Sequence, residues 1–144
     1  MNQLHITGIS DAIIRANELG KRIIGICLGM QLLAEESFEI KKTKGLGLIK
    51  GSVCYHPSGL QVGWMKIKAE RGVNKSIINK EFYFNHSYYL NIKDKNTLYS
   101  CQTSTIKYPA IIKKKEVIGI QFHPEKSQRL GLELLGKAIR GEIN

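Results

Sequence analysis

Apolar residues recur three and four apart at Ile9, Ala12, Ile13, Ala16 and Leu19. That spacing predicts an amphipathic helix over 9–19, with Ser10 capping its start and Gly20 stopping it. Residues 22–26 are a short apolar run bounded by glycines and predict a central parallel strand. A helix is predicted over 30–36 and a polar, glycine-containing loop over 41–47. Strands are predicted over 48–55 and 62–69, split by the turn signal His56-Pro57-Ser58-Gly59. The stretch 71–80 is polar and unpatterned. Aromatic residues crowd 81–93 (Phe82, Tyr83, Phe84, Tyr88, Tyr89), which predicts strand structure. Further strands are expected over 98–103, 110–113 and 117–122. From Ser127 onward Leu130, Leu134, Leu135 and Ala138 return to helical spacing, which ends near Gly141. Strand, turn and helix followed by a mostly antiparallel, strand-rich half predict an α/β fold with a mixed sheet.

The 144 residues suit a single domain over 1–144 with one core. No apolar run approaches the length of a bilayer span. Residues 1–10 lack the basic-then-apolar layout of a secretory signal, so a cytoplasmic protein is expected. Cys27, Cys54 and Cys101 are odd in number and widely spaced, without a Cys-x-x-Cys pair. This argues against a disulfide framework or a zinc site. Cys54 and Cys101 sit in apolar, strand-like contexts and are expected to be small buried hydrophobes. The net charge of +10 raises the question of a nucleic-acid partner. The lysines are scattered, however, and Lys113-Lys114-Lys115 falls between two apolar strands, where a solvated hairpin turn is the simpler account. Neither a nucleic-acid nor a membrane partner is expected.

Two stretches carry chemistry. In Gly25-Ile26-Cys27-Leu28-Gly29-Met30-Gln31 a cysteine stands between a strand and a helix, flanked by glycines, as a nucleophile elbow requires. A Cβ at either flank is expected to crowd the sharp turn. The helix N-terminus is expected to favour thiolate over thiol, and the Leu28 amide to point outward as half of an oxyanion hole. A buried structural cysteine is the plainer alternative. In Gln121-Phe122-His123-Pro124-Glu125-Lys126-Ser127, Pro124 pushes His123 into extended backbone. Residues two apart then share a face, so Glu125 lies beside His123. Cys27, His123 and Glu125 supply nucleophile, base and orienter. The alternative for His123 is a half-buried structural histidine before a proline.

Gly-Ile-Cys-Leu-Gly-Met-Gln-Leu-Leu and Gln-Phe-His-Pro-Glu-Lys-Ser resemble the motifs of class I glutamine amidotransferases. Gly45-Leu46-Gly47-Leu48-Ile49, Gly63-Trp64 and His86-Ser87-Tyr88-Tyr89 extend the likeness over nearly the whole chain. Within the family the likeness is greatest to the histidine-biosynthesis branch. The resemblance implies a flavodoxin-like fold and hydrolysis of L-glutamine to glutamate and ammonia, without a cofactor. It implies glutamine contacts at Gln31, Glu39, Ser87 and Tyr88, with Glu39 as counter-charge to the α-amino group. Without the resemblance, these four read as an exposed helix residue, a solvated carboxylate and two ordinary strand residues. Trp64 and Lys126 are implied to meet a (β/α)8 cyclase subunit that receives the ammonia, in a heterodimer. The family begins with a strand and a Gly-Asn loop, then a helix and a strand ending in a Pro-Gly-x-Gly loop that supplies the second oxyanion donor. None of this stands ahead of residue 9, so the domain is expected to be incomplete at its N-terminus. Around the interface only Gly63-Trp64 keeps the branch's usual Pro-His-Met-Gly-Trp-Asn. A paralogue feeding another synthase, such as one acting on surface sugars, is therefore an alternative. So is an inactive fragment that only docks a partner.

Overall fold

The computed structural model describes residues 6–70, 73, 77–92 and 96–143. Half of the polar stretch 71–80 and the end of the 81–93 segment lie outside the described residues. Helix α1 (Ile9–Glu18) follows the predicted apolar spacing. It opens from Gly8, whose φ of 70° needs the left-handed freedom of glycine. Ser10 is not its cap: it is buried inside the first turn. Ile9 and Leu19, two of the apolar positions that predicted this helix, are exposed.

Strands β1 (Ile23–Ile26) and β10 (Val117–Ile120) pair in parallel, with Ile26 opposite Ile120. Around them runs a six-stranded sheet in the order β1-β10-β9-β8-β5-β6. Its other members are β5 (Gln61–Ala69), β6 (Glu81–His86), β8 (Thr97–Gln102) and β9 (Lys107–Lys114), all antiparallel to their neighbours. The expected central position of β1 does not hold: among the described residues it is the edge strand of this sheet. A second sheet has the order β3-β2-β4-β7, built from β2 (Ala34–Ser37), β3 (Thr43–Lys44), β4 (Ile49–Tyr55) and β7 (Tyr88–Ile92). The aromatic segment 81–93 thus divides at Ser87 and serves both sheets, rather than forming one strand.

The helix expected over 30–36 is shorter and earlier. Helix α2 is only Leu28–Leu32, and the chain then enters β2. Long-range pairing overrides local helical spacing here: Ala34 is in parallel register with Ile49. The loop over 41–47 folds back on the same residues. At Gly45 a Cβ would stand 2.1 Å from the Ala34 carbonyl oxygen, so this close approach requires glycine.

Strands β9 and β10 are buried on both faces. On one side Ile111, Ile118, Ile120 and Phe122 pack with Phe82, Phe84 and Leu134 of helix α3 (Gln128–Arg140). The Phe82 and Phe122 rings stack at 4.3 Å. On the other side Ile112 and Val117 pack with Met30, Leu33, Ile49, Val53 and Leu90. The β9–β10 connection is the predicted hairpin turn, but its lysines are not all solvated. Lys113 Nζ donates to Ile143 O at 2.7 Å and Lys114 Nζ to Leu48 O at 2.9 Å. Among the described residues no helix is long and apolar enough to cross a membrane.

Candidate active site

Parallel pairing of β1 and β10 brings the two chemical stretches to the same end of the sheet. Cys27 directly follows β1, and its N–H extends the ladder to Ile120 O at 2.7 Å. His123 lies just beyond the end of β10. Cys27 has φ 50° and ψ −107°, a conformation a side-chain-bearing residue adopts only when its surroundings impose it. The imposing contacts are visible. At Gly25 a Cβ would meet the Gly29 carbonyl oxygen at 2.5 Å and the Met30 nitrogen at 2.8 Å. Helix α2 therefore turns back directly over β1. Gly29 differs from expectation, since a Cβ there would meet nothing within 4 Å. Only the first of the two flanking glycines is required by crowding.

The Cys27 thiol does not show the expected shift toward thiolate. Burial pushes its pKa above the ordinary value, and the Glu125 carboxylate adds to that. The Leu28 amide and the Lys126 ammonium act in the opposite direction without prevailing. A helix of five residues carries too little dipole to offset desolvation. The thiol's hydrogen bond goes to Asn85 O at 3.7 Å. The other two cysteines are also free thiols: Cys101 is buried as expected, while Cys54 is half-buried.

His123 is extended, with φ −99° and ψ 95°, as Pro124 dictates. Its N–H donates to Tyr83 O at 2.8 Å, and Ser127 Oγ donates to its carbonyl at 2.6 Å. Glu125 is reached through a 3-10 turn over Pro124–Lys126, not through the extended chain expected. The pairing nevertheless forms: His123 Nδ1 stands 2.7 Å from Glu125 Oε1. Burial alone would raise the Glu125 pKa, yet the hydrogen bond from His123, its own backbone amide and Lys126 hold it below the usual carboxylate range. An ionised carboxylate only accepts, so Nδ1 carries a proton, which in the neutral ring leaves the lone pair on Nε2.

A cavity of about 300 Å³ opens beside the elbow. Its walls include Cys27, Leu28, Gln31, Glu39, Ser87 and Tyr88, every residue expected to touch glutamine or its oxyanion. Gln31 is not an exposed helix residue. It is buried, and its Nε2 donates to Tyr88 O at 2.8 Å. Tyr88 Oη donates to the Glu39 carbonyl at 2.9 Å, while the Glu39 side chain stays exposed at the rim. His123 and Glu125 do not line this cavity. Resting-state contacts between nucleophile and base are commonly loose until substrate is bound. A larger cavity of about 540 Å³ lies between β7 and β8–β9. It holds the Lys107–Glu70 ion pair but neither cysteine nor histidine, so the chemistry belongs to the smaller one.

Sequence reasoning left Asn85 and His86 without a role, though both line the cavity. The signal for His86 was present. Alternate residues of β6 are buried, at Phe82, Phe84 and His86, and a polar residue on the buried face of an aromatic strand calls for a partner. Trp64 is half exposed, edge-to-face with Tyr83 at 6.0 Å. The Tyr83 N–H donates to Ser127 Oγ, so Trp64 and the turn carrying Lys126 belong to one surface region. Leu28, Leu60 and Val62 are also exposed.

A cysteine at a strand–helix elbow and a His–Glu pair, both at the same end of a parallel strand pair on a mixed α/β scaffold, are the parts of a cysteine-dependent acyl-transfer site. Residues 3–138 match the family model of class-I glutamine amidotransferases, and the chain belongs to that family. It is 45% identical over 135 residues to the imidazole glycerol phosphate synthase subunit HisH of Caldanaerobacter subterraneus subsp. tengcongensis, covering 90% of this chain and 66% of that protein. Identity to HisH of Lactococcus lactis subsp. lactis is 38%, covering 99% of this chain and 73% of the relative. The chain thus spans roughly two thirds to three quarters of the length of these relatives. Among solved structures, a glutamine amidotransferase superposes with TM-score 0.68 at 16% identity, over 96% of this chain and 71% of that one. PurLQS from Thermotoga maritima gives 0.67 at 22%, over 94% and 66%. These two likenesses establish the fold, and it is the amidotransferase fold that the sequence motifs implied.

Proposed function

We propose that this chain is the glutaminase component of a cytoplasmic two-chain synthase. It hydrolyses L-glutamine and passes ammonia to a (β/α)8 cyclase that forms imidazole glycerol phosphate in histidine biosynthesis. The observation that carries this reading is the cavity that joins Cys27 and Leu28 to Gln31, Glu39, Ser87 and Tyr88. The chain's similarity to relatives named HisH supports the histidine route.

Cys27 Sγ attacks the side-chain amide carbon of glutamine. The resting thiol holds its proton, because burial raises its pKa, so attack requires His123 Nε2 to take that proton as the bond forms. The Leu28 amide donates to the oxyanion of the tetrahedral intermediate. His123 then gives its proton to the departing ammonia, and water hydrolyses the thioester in a second round through the same groups. Glu125 holds Nδ1–H throughout and stabilises the imidazolium. The Glu39 carboxylate at the rim suits the α-amino group of glutamine. Trp64 and Lys126, with the exposed apolar residues near them, suit the docking of the cyclase.

Steady-state release of glutamate and ammonia tests this reading. The purified chain is assayed alone, with a (β/α)8 cyclase, and with the family's N-terminal strand-and-loop segment added in cis or as a separate chain. Glutamine turnover is expected to rise when cyclase and segment are both present. One oxyanion donor is typically worth on the order of a hundred- to a thousandfold. No turnover in any of these mixtures would contradict the proposal.

A further inference from the structure

His86 has no part in the mechanism above, yet it lines the cavity and is 5% exposed. Its Nδ1 is 2.8 Å from Tyr88 O. A carbonyl oxygen only accepts, so Nδ1 must carry the proton of a neutral ring. The same oxygen accepts a second hydrogen bond, from Gln31 Nε2, at 2.8 Å. Both acceptor sites of the Tyr88 carbonyl are thereby used, one by the strand side of the cavity and one by helix α2. Tyr88 also ties the far rim, through its hydroxyl bond to the Glu39 backbone. One residue, Tyr88, therefore connects Gln31 and Glu39, and His86 fixes the orientation of its peptide group.

The other ring nitrogen of His86 is held as well. Nε2, without a proton in this tautomer, stands 3.4 Å from the Tyr108 hydroxyl, whose one proton also has Met65 Sδ within reach at 3.8 Å. Tyr108 is buried, and its ring meets that of His86 edge-to-face at 5.4 Å. Burial keeps His86 neutral, pushing its pKa down to about 4 although the Tyr88 carbonyl acts to raise it. Phe84 and His56 are further ring neighbours, at 5.8 and 6.4 Å.

We propose that His86 is a positioning residue for glutamine: as the neutral Nδ1–H tautomer it holds the Tyr88 carbonyl, and through it the Gln31 side chain, in the geometry that binds substrate. This rests on the glutaminase reading of the cavity. His86 does not touch the reacting atoms, so its loss acts on substrate binding more than on chemistry.

The test combines spectroscopy on the wild-type chain with kinetics on two variants. Nitrogen-15 NMR of the histidine rings should show His86 protonated on Nδ1 and unprotonated on Nε2. In the cyclase complex, His86→Phe keeps a ring but removes the donor. It should raise KM for glutamine by roughly tenfold or more, with kcat changed by less than about threefold. His86→Asn retains an N–H donor near the Nδ1 position and should restore most of the loss. It should also leave the Gln31 side-chain amide resonances near their wild-type positions, whereas His86→Phe shifts them. An Nε2–H tautomer, equal behaviour of the two variants, or a loss confined to kcat would overturn the proposal. Absence of glutamine turnover in the wild-type complex, with the family's N-terminal segment also present, would instead contradict the glutaminase reading. The tautomer and the Gln31 resonances then decide the His86 tie by themselves.

Discussion

His123→Ala is expected to reduce glutamine hydrolysis by roughly 10⁴- to 10⁶-fold, about as much as Cys27→Ser, because members of a catalytic triad act as a unit. The structure gives the reason a particular sharpness here. The Cys27 thiol is half-buried and desolvation raises its pKa, so little thiolate stands ready to react once the base is gone. Glu125→Ala should cost less, leaving about tenfold to a hundredfold more activity than His123→Ala. Without the carboxylate the ring loses its 2.7 Å anchor and can protonate on the wrong nitrogen. Backbone contacts to Tyr83 and Ser127 still place His123 near the site. The comparison is made by steady-state kinetics in the cyclase complex. Equal, mild losses for His123→Ala and Glu125→Ala would assign this segment a structural role only.

Gly25→Ala is expected to destabilise the fold by about 3 kcal/mol and to suppress activity together with it. The added Cβ would meet backbone atoms of Gly29 and Met30 at 2.5–2.8 Å, and backbone cannot rotate away as a side chain can. Relief requires lifting helix α2 off β1, which carries Leu28 and Gln31 out of the cavity. Gly29→Ala is the paired control. Its Cβ enters open space inside a helix, so stability should be unchanged or higher by up to about 1 kcal/mol. Chemical denaturation of the two variants measures the difference. Equal effects would mean that the elbow is not held by this contact.

Much of the site was legible because it depends on covalent local features. Pro124 forces His123 into extended backbone whatever surrounds it, and glycine before the cysteine permits the turn. The flanks of the hairpin and helix α3 followed from periodicity alone. The misses are long-range in origin. Residues 34–36 fall in the expected helix but belong to β2, because β4 offers Ala34 a parallel ladder that periodicity cannot reveal. The thiol's pKa was expected to fall on the strength of its helix N-terminus. It rises because burial outweighs a five-residue helix, and neither burial nor helix length is local information. Without the family resemblance Gln31 reads as an exposed helix residue, since its partner, the Tyr88 carbonyl, lies 57 residues away in sequence. His86 was noticed only as part of a motif, because its role is set by two hydrogen bonds from different strands.

Site mapping with a glutamine-analogue electrophile, such as a diazoketone of the same length, tests the central claim most directly. The complex is treated at neutral pH, digested, and the adduct located by mass spectrometry, with excess glutamine as competitor. A single adduct on Cys27, suppressed by glutamine and lost in His123→Ala, is the predicted result. Labelling of Cys54 or Cys101 in its place, or labelling of Cys27 that glutamine does not suppress, would contradict the assignment of this cavity as the glutamine site.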